Sequence, residues 1–229
     1  MIGVIVAMEK ELAALKLEAV EQVQIGGLTF YPCKLYGHEA VVAVCGIGKV
    51  AAAMCAEAMI LRFSPEWIIN CGVAGSLSAD LHVLDIAVAE GAVQYDMDTT
   101  ALGDPPGWIS GINKVILPCD AKMADGLYKA AAEAGLHAQK GLIASADRFC
   151  AEENQKAEIV QNFHAIACEM EGGAVAHVCY VNDVPCALFR AISDSANDEA
   201  NLTYAEFTSR AAENAARVLA CFLNHIAEG

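Results

Sequence analysis

Carboxylates at the ends of apolar runs are the residues of this chain best placed to do chemistry. Glu169-Met170-Glu171 stands where the run Ala165–Cys168 meets the small residues Gly172-Gly173-Ala174. Acidic groups in so apolar a setting are costly unless satisfied. Two readings stay open for them. A carboxylate in the first turn of a helix complements the macrodipole, or it accepts hydrogen bonds from the vicinal hydroxyls of a sugar. Asp194 ends a second apolar run, Leu188-Phe189-Arg190-Ala191-Ile192-Ser193, with Ser193 as a ready hydrogen-bond partner. Burial there would raise its pKa and let it donate a proton. Arg190, on the same run, reads first as the structural partner of a carboxylate. Glu11, in Met8-Glu9-Lys10-Glu11, reads on its own as a solvated helix residue, as do Glu9 and Lys10.

Other segments carry weaker signals. Gly46-Ile47-Gly48-Lys49-Val50-Ala51 follows an apolar run and opens a helix. A dinucleotide-binding turn would also need an acidic residue at the end of the next strand. Trp67-Ile68-Ile69-Asn70-Cys71 supplies none. Those glycines either let strand and helix approach closely or line a small ligand with backbone. Phe149, after Asp147-Arg148, is either core or a ring that stacks on a base. His177 reads as a satisfied mid-helix histidine, and the other five histidines show no mutual spacing. No G-x-S-x-G elbow or phosphate-binding loop is present. The ten cysteines form no C-x-x-C pair and lie mostly in apolar runs, which excludes a zinc site and points to buried, reduced thiols.

These residues need strands to carry them. Short apolar runs at Ile2–Val6, Ala40–Val44, Trp67–Asn70, Asp85–Val88, Lys114–Leu117, Gly141–Ala144, Ala165–Cys168 and Cys186–Ile192 read as strands. Segments at helical spacing alternate with them: Glu9–Leu15, Lys49–Phe63, Met123–Ala134, Gly172–Tyr180 and Thr203–Ala227. In the last, Thr203 and Glu206 make a capping box. Tyr204, Phe207, Ala211, Ala215, Val218, Phe222 and Ile226 then form one apolar stripe. Pro105-Pro106-Gly107 marks a loop, and Asp96–Asp104 before it has no clear period. Near-continuous apolar strands between helices imply an α/β fold: a mixed, mostly parallel central sheet flanked by helices on both faces. A length of 229 residues fits a single domain, 1–229. In such sheets ligands bind beyond the carboxyl ends of the strands, where the glycines and acids of this chain are concentrated.

Composition narrows the function. With 14 Lys+Arg against 29 Asp+Glu, the net charge of -15 opposes binding to nucleic acid or to an anionic membrane surface. Hydrophobic residues make up 56%, which excludes a disordered chain. Uncharged stretches such as Gln22–Cys33 are too short to span a bilayer, and MIGVIVAMEKE lacks the features of a signal peptide. A cytoplasmic protein is expected.

Taken together, the segments resemble the 5′-methylthioadenosine/S-adenosylhomocysteine nucleosidases, within the purine nucleoside phosphorylase-like superfamily. The matching stretches are Ile2–Leu12, Cys45–Ala53, Ile69–Leu77, Asp96–Gly103, Gly141–Phe149, Ala167–Val178 and Arg190–Ala196, in the family's order over nearly the whole chain. ACEMEGGAVAHV and RAISDSA are the specific ones. The resemblance implies hydrolysis of the N-glycosidic bond of 5′-thio-substituted adenine nucleosides, without metal or organic cofactor. It implies that Asp194 protonates adenine N7 with Ser193 beside it, and that Glu11 orients and deprotonates the attacking water. Glu171 would hold the ribose hydroxyls over Met170, with Arg190 near the water. Phe149 would stack on adenine, and the backbone of Cys150 would read its edge. Met8, Ile47 and Tyr204 would line the sugar and 5′ pocket, and Glu169 and Val73 complete the substrate-binding set. Leu102 would come from a partner subunit, so a homodimer is implied.

Several positions depart from the family. Val73 replaces a serine near the water, Cys150 a larger aliphatic residue, Leu102 an aromatic and Ala146 a glycine. The chemistry agrees with the resemblance. Adenine leaves readily only when N7 is protonated, and the bond breaks through an oxocarbenium-like sugar that carboxylates stabilise. A carboxylate facing the nucleophile would also repel phosphate, which favours hydrolysis over phosphorolysis and leaves only Arg190 as a phosphate ligand. The competing readings are a futalosine-type hydrolase, a non-catalytic nucleoside-binding module and a nicotinamide-dependent oxidoreductase.

Overall fold

The first strand, β1 (Ile2–Val6), is buried along its whole length and sets the pattern for the rest. Its side chains alternate between two cores, Ile5 to one face and Val4 and Val6 to the other, as period-two geometry requires. The computed structural model describes residues 1–194 and 204–227. After β1 come α1 (Glu9–Ala14), β2 (Leu17–Glu18), β3 (Val23–Ile25), β4 (Leu28–Leu35) and β5 (His38–Val44). Then follow α2 (Lys49–Phe63), β6 (Trp67–Ser76), β7 (Ile86–Gln94), a 3₁₀ turn at Thr100–Leu102 and β8 (Ile116–Pro118). The chain continues through α3 (Ala121–Glu133), β9 (Ala138–Ser145), α4 (Glu153–Phe163) and β10 (Ala165–Glu169). It finishes with α5 (Gly172–Val181), β11 (Cys186–Asp194) and α6 (Tyr204–Ala227).

The strands form one sheet in the order β10-β9-β7-β11-β6-β1-β5-β4-β2, with β3 on β4 and β8 on β7. β10 also pairs with β6, so one end of the sheet curls into a ring of five strands. Among the described residues five pairings are parallel and six antiparallel. The sheet is therefore mixed; the expectation of a mostly parallel one is too strong. The difference comes from the β2–β4 meander, which the sequence reading leaves out, and from β7, which runs against β11. Pro32 hides β4 from a strand reading. Its carbonyl accepts from Glu21 N–H, on the side away from β5, so its missing N–H costs the β4–β5 ladder nothing.

Helices cover both faces. α2 and α5 pack on one core through Ala56, Met59, Val175 and Cys179. α3 and α6 pack on the other through Leu127, Ala130, Val218 and Phe222. Gly126 lets the two touch, since a Cβ there would lie 2.6 Å from the Phe222 ring. The α6 stripe holds at Ala211, Ala215, Val218 and Phe222, but Ile226 is 42% exposed and Leu219 and Leu223 are buried in its place. Thr203 and its cap lie outside the described residues. All ten cysteines are free thiols, nine of them buried. No described helix is long and apolar enough to cross a membrane.

Candidate active site

The carboxyl ends of β1, β6, β10 and β11 converge on one pocket with about 660 Å³ of empty space, its open mouth included. Glu11 forms part of its wall. The residue is buried, not solvated as its local sequence suggests. It sits in the first turn of α1, where β1 ends, and turns back toward the strand. Glu11 Oε2 accepts from the backbone N–H of Ala7 at 2.8 Å and of Met8 at 2.9 Å. Its Oε1 accepts from Val73 N–H on β6 at 3.1 Å. Gly72 makes room for it: a Cβ there would lie 2.6 Å from Glu11 Oε1. Burial raises the Glu11 pKa, while the three backbone donors and the charge of Arg190 restrain the rise.

Glu171 faces the same space from the start of α5. Its Oε1 accepts from Gly48 N–H at 2.7 Å, at the N-terminus of α2. Burial, and then the neighbouring charge of Glu169, push its pKa up to about 7. No donor among the described residues bonds its second oxygen. That oxygen is available to a hydroxyl-bearing ligand.

Beneath the pocket lies a closed polar cluster. Glu169 Oε2 accepts from Gly172 N–H at 2.7 Å, from Glu171 N–H at 3.1 Å and from the Arg190 guanidinium. Its Oε1 accepts from the Ser145 hydroxyl, which in turn accepts from Gly173 N–H at 2.6 Å. Arg190 also donates to the side chain and the carbonyl of Asn70. Burial opposes the guanidinium's charge, but Glu169, Glu171 and Glu11 together hold its pKa above the ordinary value. The glycine pair is what permits this packing. A Cβ on Gly172 would lie 2.3 Å from Leu188 Cδ2, and one on Gly173 2.9 Å from Ser145 Cβ.

Of the residues singled out from sequence, the pocket brings together Met8, Glu11, Ile47 and Val73. Phe149, Cys150, Met170, Glu171 and Ser193 line it with them. Glu169 reaches the lining, yet both its oxygens are taken by internal donors. Arg190 is not part of the lining; it is buried behind it as the ion-pair partner of Glu169. Leu102 lies apart, on the 3₁₀ turn, with 83% of its surface exposed. The backbone of Asp194 ends β11 in register with Gly75, a lining residue. The side chains of Asp194 and Tyr204 lie outside the described residues. Sequence reasoning passed over Asn70 and Ser145, though Asn70 is the only polar residue of an apolar run. His177 is occupied by Gln94 at 3.3 Å. The described residues hold no cluster of three or more His, Cys, Asp or Glu fit for a metal ion.

Comparison with known proteins places this arrangement in context. The model of the phosphorylase superfamily matches residues 1–224. The aminodeoxyfutalosine nucleosidase of Campylobacter jejuni is 35% identical over 229 residues, covering 99% of this chain and 98% of that protein. The 5′-methylthioadenosine/S-adenosylhomocysteine nucleosidase of Neisseria meningitidis, solved with methylthio-immucillin-A, superposes with a TM-score of 0.90 at 34% identity, covering 98% of each chain. The futalosine hydrolase of Helicobacter pylori gives a TM-score of 0.90 at 33% identity, covering 98% of this chain and 97% of that one.

Proposed function

The chain belongs to the phosphorylase superfamily, and on that premise we propose that it hydrolyses the N-glycosidic bond of 5′-thio-substituted adenine nucleosides. Methylthioadenosine and S-adenosylhomocysteine are its substrates; adenine and the thioribose leave. The observation that carries hydrolysis is the buried Glu11 carboxylate, fixed by three backbone N–H groups in the wall that Glu171 also faces. Two acids there repel a phosphate nucleophile and suit a water. Arg190, the one phosphate ligand expected from sequence, is committed to Glu169. Among the lining residues only Arg148 carries a positive charge.

In this reading Phe149 stacks on adenine, and Asp194, at the end of β11 beside buried Ser193, protonates N7. The sugar becomes oxocarbenium-like. Glu171 takes the ribose hydroxyls on its second oxygen and stabilises the positive charge. Glu11 removes the proton of the attacking water, and a pKa raised by burial makes it the stronger base. Glu169 and Arg190 position Glu171 without touching the nucleoside. The residues act within one domain, in the cytoplasm, where ten free thiols fit a reducing compartment.

The active form is a homodimer. Val50 and Leu61 on α2 are 71% and 73% exposed, seal no core in the isolated chain, and lie on the helix that opens at the pocket. Such exposed apolar residues suit a second copy, which would lend its Leu102 to the neighbouring site. One observation favours a second substrate. A relative 35% identical over the chain is an aminodeoxyfutalosine nucleosidase, and Leu102 and Cys150, at the 5′ and base ends, differ from the thio-nucleoside family pattern.

Adenine release from methylthioadenosine, S-adenosylhomocysteine and aminodeoxyfutalosine, with and without phosphate, tests the proposal. Phosphate-independent release from the two thio-nucleosides is expected. Turnover that requires phosphate, or none from any of the three, refutes it.

A further inference from the structure

A polar cluster at the pocket rim joins three strand exits and lies outside the machinery described above. Lys49 Nζ, at the start of α2, pairs with Asp96 Oδ1 at 2.5 Å, just beyond β7. Asp96 Oδ2 accepts from Asp147 N–H at 3.0 Å, just beyond β9. Asp147 Oδ1 accepts from Lys49 N–H at 2.6 Å, which closes the circuit. Lys49 Nζ also reaches Gln94 at 3.3 Å.

The consequence lies one residue away. The N-terminus of α2 presents two successive N–H groups to two carboxylates. Gly48 N–H goes to Glu171, and Lys49 N–H goes to Asp147. Asp147 therefore caps α2 from a distant segment and fixes where Gly48 N–H points. The fit is close. Gly48 has φ +99, and a Cβ on it would lie 2.9 Å from Asp147 Oδ1. The segment that begins at Asp147 also carries Phe149 and Cys150 into the pocket.

We propose that Asp147, held by Lys49 and Asp96, is a positioning residue that fixes Gly48 N–H on Glu171 and so keeps the ribose-binding carboxylate in place and ionised. This rests on the ribose role assigned to Glu171 above. The groups that face Glu171 are Glu169 from β10, Arg190 from β11, Glu11 from α1, Cys45 at the end of β5 and Gly48 N–H from α2. Glu169 and Glu11 oppose its ionisation; Gly48 N–H and Arg190 favour it, the backbone donor more than the guanidinium. Loosening Gly48 thus removes the chief support of the charged form.

The test compares Asp147→Ala, Asp147→Asn, Glu171→Gln and the double variant Asp147→Ala/Glu171→Gln in the full-length protein. Asp147→Ala is expected to raise the KM for methylthioadenosine about tenfold, the loss of one charge-assisted hydrogen bond. It should move the acidic limb of the kcat/KM profile to higher pH by about half a unit or more. Asp147→Asn keeps an acceptor and should recover most of both effects. In the Glu171→Gln background Asp147→Ala should add no further rise in KM. An unmoved acidic limb, or an equal KM rise with and without Glu171, overturns the proposal. If Glu171→Gln itself leaves the KM unchanged, the ribose role of Glu171 falls, and this route to it falls too.

Discussion

Two layers of the same site use the same residue types to opposite ends. In the lower layer, Glu169 and Arg190 are buried, and both carboxylate oxygens and both terminal guanidinium nitrogens have partners: each other, Ser145, Asn70 and the backbone of Glu171, Gly172 and Phe189. In the upper layer, Glu11 and Glu171 are also buried, but they face open space, and their pKa values are pushed up. Glu169 and Glu171 are two residues apart on one segment. The difference between them is therefore one of partners. A buried carboxylate such as Glu169, with its oxygens taken and its charge paired with Arg190, holds structure; Glu171, with an oxygen to spare, is poised for a ligand, and Glu11, held by backbone N–H groups alone in the pocket wall, is poised for a proton.

Substitutions can break this contrast. The largest effect is expected from Glu11→Gln, with kcat for adenine release falling about 10²–10⁴-fold. Thermal unfolding at pH 8 should show only a modest loss of stability, about 1–3 kcal/mol, because the Gln amide nitrogen leaves at least one of the three backbone N–H groups without an acceptor while the buried charge is removed. A variant with near-native kcat would move Glu11 to the structural layer. Next comes Arg190→Leu, which leaves Glu169 charged and unpaired, at a cost of about 3–5 kcal/mol in urea unfolding. A loss below about 1 kcal/mol would show that the lower layer is not structural. Gly172→Ala forces a Cβ against Leu188 and should cost about 1–3 kcal/mol by the same measurement.

A subtler effect sharpens the contrast within the pair. The Glu171 pKa rises from 4.5 to about 7 on folding, so the native state binds that proton more tightly than the unfolded chain does. Its contribution is complete below the unfolded value and is lost as pH rises through the folded one. The wild-type protein should therefore lose more stability between pH 5 and pH 8 than Glu171→Gln does, by about 2 kcal/mol, read as melting temperature against pH. Equal slopes would contradict the strained upper layer. The smallest change belongs to exposed Glu9 on the same helix as Glu11. Glu9→Gln should stay within about 0.5 kcal/mol of wild type, with unchanged kcat.

Much of this architecture is legible in the sequence, for reasons that differ by element. Lys49–Phe63 is helical over the range its spacing gives, because its small and apolar residues meet a core along their length. α4 escaped because ENQKAEIVQNF anchors itself with little more than Ile159 and Phe163. β4 escaped because the neutral setting of Pro32 depends on which side of the strand faces β5, a register that local sequence does not carry. The site divides in the same way. The strand-exit rule and the resemblance brought Met8, Phe149, Met170 and Glu171 to one pocket. Read locally, Glu11 looks solvated; its burial depends on Gly72, 61 residues away, having no side chain. Arg190 reads first as the partner of a carboxylate, and which carboxylate it meets depends on Asn70 and Glu169 coming together across the sheet. The rim cluster of Lys49, Asp96 and Asp147 has no local signature, since its members come from three separate strand exits.

The most direct measurement is a crystal structure of this protein with adenine and a cationic pyrrolidine mimic of the sugar bound in the pocket. The residue 194 carboxyl is expected at hydrogen-bond distance from purine N7, with Glu171 on the sugar hydroxyls and a water held by Glu11 beneath the anomeric position. A base turned away from residue 194, or a sugar whose reacting carbon lies out of reach of Glu11, would contradict it.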